Sequence, residues 1–317
     1  MPTIERYDYA NSFHHVYSRG LDRFNIFHDD QDRYKFLACM EASCVKYGFR
    51  IHAYCLMDNH YHLYLQSIQG NLSKSLQSIN SRYSIYYNLK YERSGTIFEG
   101  RFNSKLVQSE KYSLNLIRYI HCNPLKAGMV TDLDEYRWSS YPIYVGKQEP
   151  QGFFDCGLVI DSMSKQATTS NFRAFHKLDF DDDFDSKNIC GDDEFIKSIL
   201  ESAIVKPYSE SKINELIDEE VIPLFYEYIY SNINLTNNEK LRLYTFSLHQ
   251  FTSMSYADIA FFVDADSPVA IKQMNYRFKK VHLESSKFAS IYKDLLVIKD
   301  KVVNDVNTKR YVVTTRR

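Results

Sequence analysis

"FRIHAYCLMDNHYHLYLQS", residues 49 to 67, reads as two strands joined by a turn. Apolar and aromatic residues fill both halves, and Asp58-Asn59 between them is a turn-forming pair. Successive side chains of an extended chain point to opposite faces, so His60 and His62 share one face while Tyr61 and Leu63 take the other. Two imidazoles on one face suit a shared cation. In a chain with 10 histidines among 317 residues, however, such a pair also arises by composition alone. The pair gains meaning only from its partners.

Working outward, "SFHHVYSRG" at 12 to 20 reads as a strand, and "DDQDRYKFLACMEASCVKYG" at 29 to 48 as a helix closed by Gly48. After the hairpin come a second long helix, "NLSKSLQSINSRYSIYYNLKYE", and a short strand, "NSKLVQS". A third helix, "KYSLNLIRYIHCNP", is expected to stop at Pro124. The order strand, helix, strand, strand, helix, strand predicts an α+β fold over residues 1–150: a ferredoxin-like antiparallel sheet with helices on one face. Within "RYIHCNP", Tyr119 and Asn123 stand four residues apart and therefore on one helical face. A helix crossing the sheet could bring both to the histidines. Two imidazole nitrogens and an amide oxygen would then make a three-ligand site, with room for water and a phosphate oxygen around Mg or Mn. Tyr119 would be the nucleophile. The same residues also suit plainer roles, Tyr119 as core and Asn123 as a helix stop before proline.

Composition sets the bounds. A hydrophobic fraction of 44% over 317 residues supports a sizeable core and more naturally two domains than one. The six cysteines form no Cys-x-x-Cys pair, and "MPTIERYDYANSF" lacks the basic and apolar regions of a signal peptide. Reduced thiols and a cytoplasmic location are expected, with no membrane span. The net charge of -1 makes no case for an acidic polymer, but its distribution does. Lys74 to Lys126 holds nine Lys/Arg against three Asp/Glu, and Lys272 to the C-terminus twelve against four. Residues 151–200 carry five basic against ten acidic residues, including "FDDDFD" at 180 to 185. Any single run reads as a solvated face, but two basic regions flanking an acidic connector (151–205) point to a polyanion partner.

The last part, 206–317, reads as an all-α domain. Thr236 with Glu239 forms a capping box ahead of "NNEKLRLYTFSLHQF", Ser255 can cap "YADIAFFV", and Ser267-Pro268 opens "VAIKQMNYRFKKV". Two helices so closely joined predict a helix-turn-helix. Ile271, Met274, Phe278 and Val281 would face inward. Lys272, Gln273, Tyr276, Arg277 and Lys280 would face out, Gln273 to read an adenine edge and the cations to grip phosphates. A helical bundle with a basic surface is the alternative.

Five segments in register give the first 150 residues a family likeness: "HHVYSRGLDRFNIF", "YCLMDNHYHLYL", "SGTIFEGRFNSKLV", "RYIHCNPLKAGMV" and "YRWSSYPIYVG". Together they resemble the REP-associated tyrosine transposases, a branch of the HUH superfamily of single-strand transposases and nucleases. The resemblance implies His60 and His62 as metal ligands, Asn123 as the third, and Tyr119 as the single catalytic tyrosine. It also implies hairpin or single-stranded DNA as partner, with a short single-stranded guide beside the hairpin. Arg19, Arg93, Arg101 and Lys105 lie in or beside these segments and are expected to contact the DNA backbone. Arg82 stands with Tyr83, Tyr86, Tyr87, Lys90 and Tyr91 on the second helix, a mixture suited to phosphates and bases. The expected function is therefore a metal-dependent DNA strand-cleaving and rejoining enzyme, as monomer or homodimer. The alternative is a non-catalytic DNA-binding regulator that keeps the fold. A metallohydrolase of small molecules is disfavoured because "HYHLYLQS" lacks a nearby Asp ligand.

Overall fold

The computed structural model describes residues 7–158, 168–178, 184, 188–203, 210–232, 234–281 and 286–315. Of the "FDDDFD" run only Phe184 is among them. By contacts the chain divides into two units, Met1–Ile79 with Arg101–Val205, and Asn80–Gly100 with Lys206–Arg317.

The first unit is built on a sheet of β1 (Ser12–Arg19), β2 (Phe49–Leu56), β3 (His60–Ser67), β4 (Asn103–Val107) and β5 (Ile189–Cys190), in the order β2-β3-β1-β4-β5. The first four strands pair antiparallel in the ferredoxin-like order that the sequence predicts. The departure is β5, which adds two residues parallel to β4 and makes the sheet mixed. Helix α1 (Asp30–Tyr47) opens on Asp29, whose carboxylate accepts from Asp32 N–H, and closes on Gly48 at φ 66°. That left-handed conformation suits a residue without Cβ and lets β2 begin at once.

The turn between β2 and β3 is pinned by the segment after β1. Gly20 N–H donates to Asn59 O at 2.8 Å, while Ile26 and Phe27 N–H donate to Asp58 O at 2.8 and 3.0 Å. Gly20 is required for this approach, since a Cβ there would stand 2.3 Å from Phe24 O. Arg33 of α1 completes the clamp by pairing with the Asp58 carboxylate.

The alternation of β3 assigns its two faces. Tyr61 meets Phe36 of α1 (ring centroids 4.7 Å apart), and α1 is tied to the start of α2 (Leu72–Lys90) through Ser43 Oγ and Ser78 Oγ at 3.4 Å. His62 and Tyr64 face the other way, toward α3 (Ser109–Lys126), where the Tyr64 hydroxyl bonds Ser113 Oγ at 2.5 Å. The helices therefore lie on both faces of the sheet rather than one. The expected stop at Pro124 is also corrected, because α3 runs on to Lys126. Proline removes the N–H that Ile120 O would accept, but Asn123 Nδ2 donates to Ile120 O at 3.3 Å and to Tyr119 O at 2.8 Å, so the carbonyl is satisfied and the helix continues. Past α3, α4 (Tyr141–Tyr144), α5 (Thr169–His176) and α6 (Asp193–Ala203) complete the unit.

The second unit takes the later turns of α2 together with α7 (Glu210–Tyr230), α8 (Asn237–Phe251), α9 (Tyr256–Phe262), α10 (Pro268–Val281) and α11 (Ser286–Thr315). Its core joins Ile85 to Phe225, Leu243, Tyr244, Leu248, Ile259, Ile271, Phe278 and Leu295. The expected capping box of Thr236 with Glu239 forms, the expected cap Ser255 makes a second box with Asp258, and Ser267 Oγ accepts from Ala270 N–H at 3.2 Å. Ile271 and Phe278 face inward, Met274 partly so, and Asn275 is buried against Thr245. No helix among the described residues is long and apolar enough to cross a membrane.

Candidate active site

The sheet face under α3 gathers histidines from two strands. Tyr17 pairs with His62 and His15 with Tyr64 in the β1–β3 ladder, and Lys105 of β4 lies opposite His15. His60 and His62 lie with ring centroids 5.1 Å apart, nearly perpendicular. The Tyr17 ring stacks on His62 at 5.8 Å. From above, α3 sets the Tyr119 ring edge-on to both His15 and His62, at 5.7 Å from each. Asn123 follows one turn later on the same helical face. Lys126, a further turn along, holds its Nζ 5.0 Å from the Tyr119 ring centroid.

Burial dominates the electrostatics. His15 and His62 are almost wholly enclosed, at 0% and 7% exposure, and Tyr119 is at 7%. Desolvation lowers the pKa of His15 to about 3, with the charge of Lys105 adding to the effect. It holds His62 well below the usual histidine range, helped by His15, His60 and Lys105, and lowers His60, helped by Arg19. All three are thus neutral near pH 7, the form that ligates a metal.

The hydrogen bonds show which nitrogens remain for a ligand. His60 Nδ1 lies 2.6 Å from Asn59 Oδ1, a carbonyl oxygen that can only accept, so the ring proton is on Nδ1 and Nε2 is bare. His62 Nδ1 lies 3.0 Å from His15 Nε2; where His62 is the donor in that contact, its Nε2 is left. Since Asn123 spends its amide nitrogen on the α3 carbonyls, its Oδ1 is the end left to accept. Among the described residues no three His, Cys, Asp or Glu side chains form a metal-holding group. Two imidazole nitrogens and one amide oxygen are nevertheless donors that a divalent cation accepts, the oxygen suiting Mg or Mn and the imidazoles the later first-row metals, so the donor types are compatible with the implied cation.

The expected DNA contacts separate on inspection. Arg19 is exposed at the end of β1, opposite His60, and Arg101 is half-buried just before β4. Lys105 is buried at 3% exposure, with Nζ donating to Phe184 O, so it is not an open phosphate ligand. Arg82 is likewise committed inside the second unit, to Phe261 O and the Asp264 carboxylate. Arg93, half-buried, lies over the Tyr87 ring at 5.8 Å. Tyr83 and Tyr87 are core residues. Lys272, Gln273, Tyr276 and Arg277 are exposed on α10, whereas the side chain of Lys280 lies outside the described residues. The residue reading passed over His15, Asn59 and Lys126. Alternation along β1 puts His15 on the face of Tyr17, but the sequence alone does not show which strand lies beside it.

Residues 9–123 match the model of a family described as "Transposase IS200 like", a span running from just before β1 through Asn123. That stretch therefore resembles the IS200-like transposases. Within that class, the likeness is to REP-associated tyrosine transposases. A Haemophilus influenzae protein of that name is 26% identical over 124 residues, covering 34% of this chain and 67% of the relative. A solved structure described as a REP-associated tyrosine transposase bound to a REP hairpin covers 49% of this chain and 90% of its own, with 17% identity and a TM-score of 0.41.

Proposed function

We propose that this protein cleaves and rejoins single-stranded DNA beside a hairpin, with Tyr119 as nucleophile and a divalent cation held by His60, His62 and Asn123. The observation that carries the reading is the Tyr119 ring seated 5.7 Å from His62 within one unit of one chain. A phenol has an ordinary pKa of about 10, so only about one in a thousand is ionised near pH 7. A bound cation would supply Lewis acidity toward the scissile phosphate. Lys126 Nζ stands 5.0 Å from the Tyr119 ring centroid, a cation–π contact that helps to hold the ring in place.

Tyr119 Oη attacks phosphorus, the bond from phosphorus to the 3' oxygen breaks, and that oxygen takes up a proton as the phenol loses its own. The products are a 5'-phosphotyrosine link and a free 3'-hydroxyl. One phosphoester has been exchanged for another, so rejoining needs no nucleotide cofactor. Exposed Arg19 is suited to backbone contact near His60. In the second unit, α9 and α10 are suited to act as a helix-turn-helix, offering Lys272, Gln273, Tyr276 and Arg277 to duplex or hairpin DNA.

The test is a labelled hairpin carrying a single-stranded flank, incubated with Mn and resolved on a denaturing gel. Wild-type protein is expected to give a covalent adduct and a shortened strand. Tyr119→Phe should give neither, with hairpin affinity nearly unchanged. An adduct that persists in Tyr119→Phe sinks the nucleophile assignment. Binding without any cleavage by wild-type protein favours the alternative, a regulator that keeps the fold.

A further inference from the structure

A histidine can offer a metal only the nitrogen that carries no proton, and a free neutral imidazole prefers its proton on Nε2. Something must therefore hold the proton on Nδ1 if Nε2 is to ligate. We propose that Asn59 and His15 are positioning residues which do this for His60 and His62, an inference that rests on the metal reading above.

For His60 the direction of the bond is settled by chemistry. Asn59 Nδ2 donates to Arg23 O at 3.2 Å, which orients the amide, and Oδ1 is then the atom 2.6 Å from His60 Nδ1. A carbonyl oxygen cannot donate, so His60 carries its proton on Nδ1. The turn that holds Asn59 is itself clamped by Gly20, Ile26 and Phe27.

For His62 the partner is another buried imidazole. Two ring nitrogens in hydrogen-bond contact share one proton, so the 3.0 Å contact is either His62 Nδ1–H to His15 Nε2 or the reverse. A cation on His62 Nε2 permits only the first, with the His15 proton on Nδ1. His15 Nδ1 is buried and has no hydrogen-bond partner among the described residues. Leaving such an atom unpaired costs about 1–3 kcal/mol, which makes His15 a poor choice for packing alone. A role in orienting His62 accounts for it, and the Tyr17 ring, 5.3 Å from His15 and 5.8 Å from His62, keeps the two rings in register.

The test measures Mn affinity by titration calorimetry on the full chain without DNA, alongside thermal melting. His15→Phe keeps the ring volume but loses the acceptor; His15→Gln restores an acceptor near the position of Nε2. Asn59→Ala and Asn59→Asp make the same comparison for His60, Asp keeping the acceptor while giving up the bond to Arg23. Expected is a loss of Mn affinity of about 10- to 100-fold in His15→Phe and Asn59→Ala. His15→Gln and Asn59→Asp should stay within a few-fold of wild type. Wild-type affinity in His15→Phe and Asn59→Ala, while His60→Ala with His62→Ala abolishes binding, overturns the positioning roles and leaves the metal site standing. Failure of the Gln and Asp variants to recover affinity overturns them too. Unchanged Mn binding in the double histidine variant removes the metal site itself, and the positioning roles with it.

Discussion

Arg82 holds two partners and an aromatic ring at once. Its guanidinium donates to Phe261 O and Asp264, and stands 4.6 Å from the Phe261 ring centroid. Asp264 sits at φ 60°, a conformation that costs a non-glycine residue energy, in the join between α9 and α10. We expect Arg82→Ala to lower the stability of the second unit by about 1–3 kcal/mol, read as a shift of the urea midpoint. Hairpin affinity of the folded variant should stay near wild type; a large loss would mean that Arg82 does reach phosphate. The sequence could not have shown this commitment. Helical spacing placed Arg82 beside four tyrosines and a lysine, while its carboxylate partner lies 182 positions further along. That His60 and His62 share a face was legible because a strand's two-residue period needs no distant information. His15 was not, since its meaning depends on strand pairing across 47 positions.

Among the elements, α3 is tied to α5 through a closed relay of hydrogen bonds. His176 Nδ1 donates to Phe172 O at 2.9 Å, so its Nε2 accepts from His121 Nδ1–H at 3.0 Å, and His121 Nε2 accepts from Ser140 Oγ at 2.7 Å. Burial lowers the pKa of His176 to about 4 and holds His121 well below the usual histidine range. The unfolded chain takes up these protons near pH 6.5, whereas the folded chain refuses them until far lower. Stability is therefore complete above pH 6.5 and is lost as pH falls from there toward 4, on the order of 3 kcal/mol from His176 alone. The melting temperature should fall across that window, and His176→Phe should flatten the decline. At α10 the expectation concerns salt: replacing Lys272 and Arg277 with alanine should flatten log affinity against log salt by about two units, and an unchanged slope would leave α10 without DNA contacts. Gln273→Ala should relax sequence preference instead, with little change of slope. Most elements were legible, because Gly48, the Asp58-Asn59 turn, the Thr236–Glu239 capping box and the Ser255 cap are local signals. Strand β5 was not, being two residues that join the sheet only through β4. Nor was the continuation of α3 past Pro124, which depends on one side-chain amide.

At the scale of the molecule, Tyr119 and both histidines belong to one unit of a single chain. Mixing Tyr119→Phe protein with His60→Ala, His62→Ala protein should therefore restore no cleavage; recovered activity would show a site shared between two chains. The sheet order has a further consequence. Strand β3 is paired with β2 on one side and β1 on the other, and β1 is flanked in turn by β3 and β4. Neither strand has a free edge from which to fray. In heavy water their amide protons should be the last of the first unit to be replaced by deuterium, at a rate set by global opening rather than local fluctuation. Amides at the edge strand β5 should exchange orders of magnitude sooner. The clock of the histidine pair is then that of the whole unit, and its geometry lasts as long as the fold does.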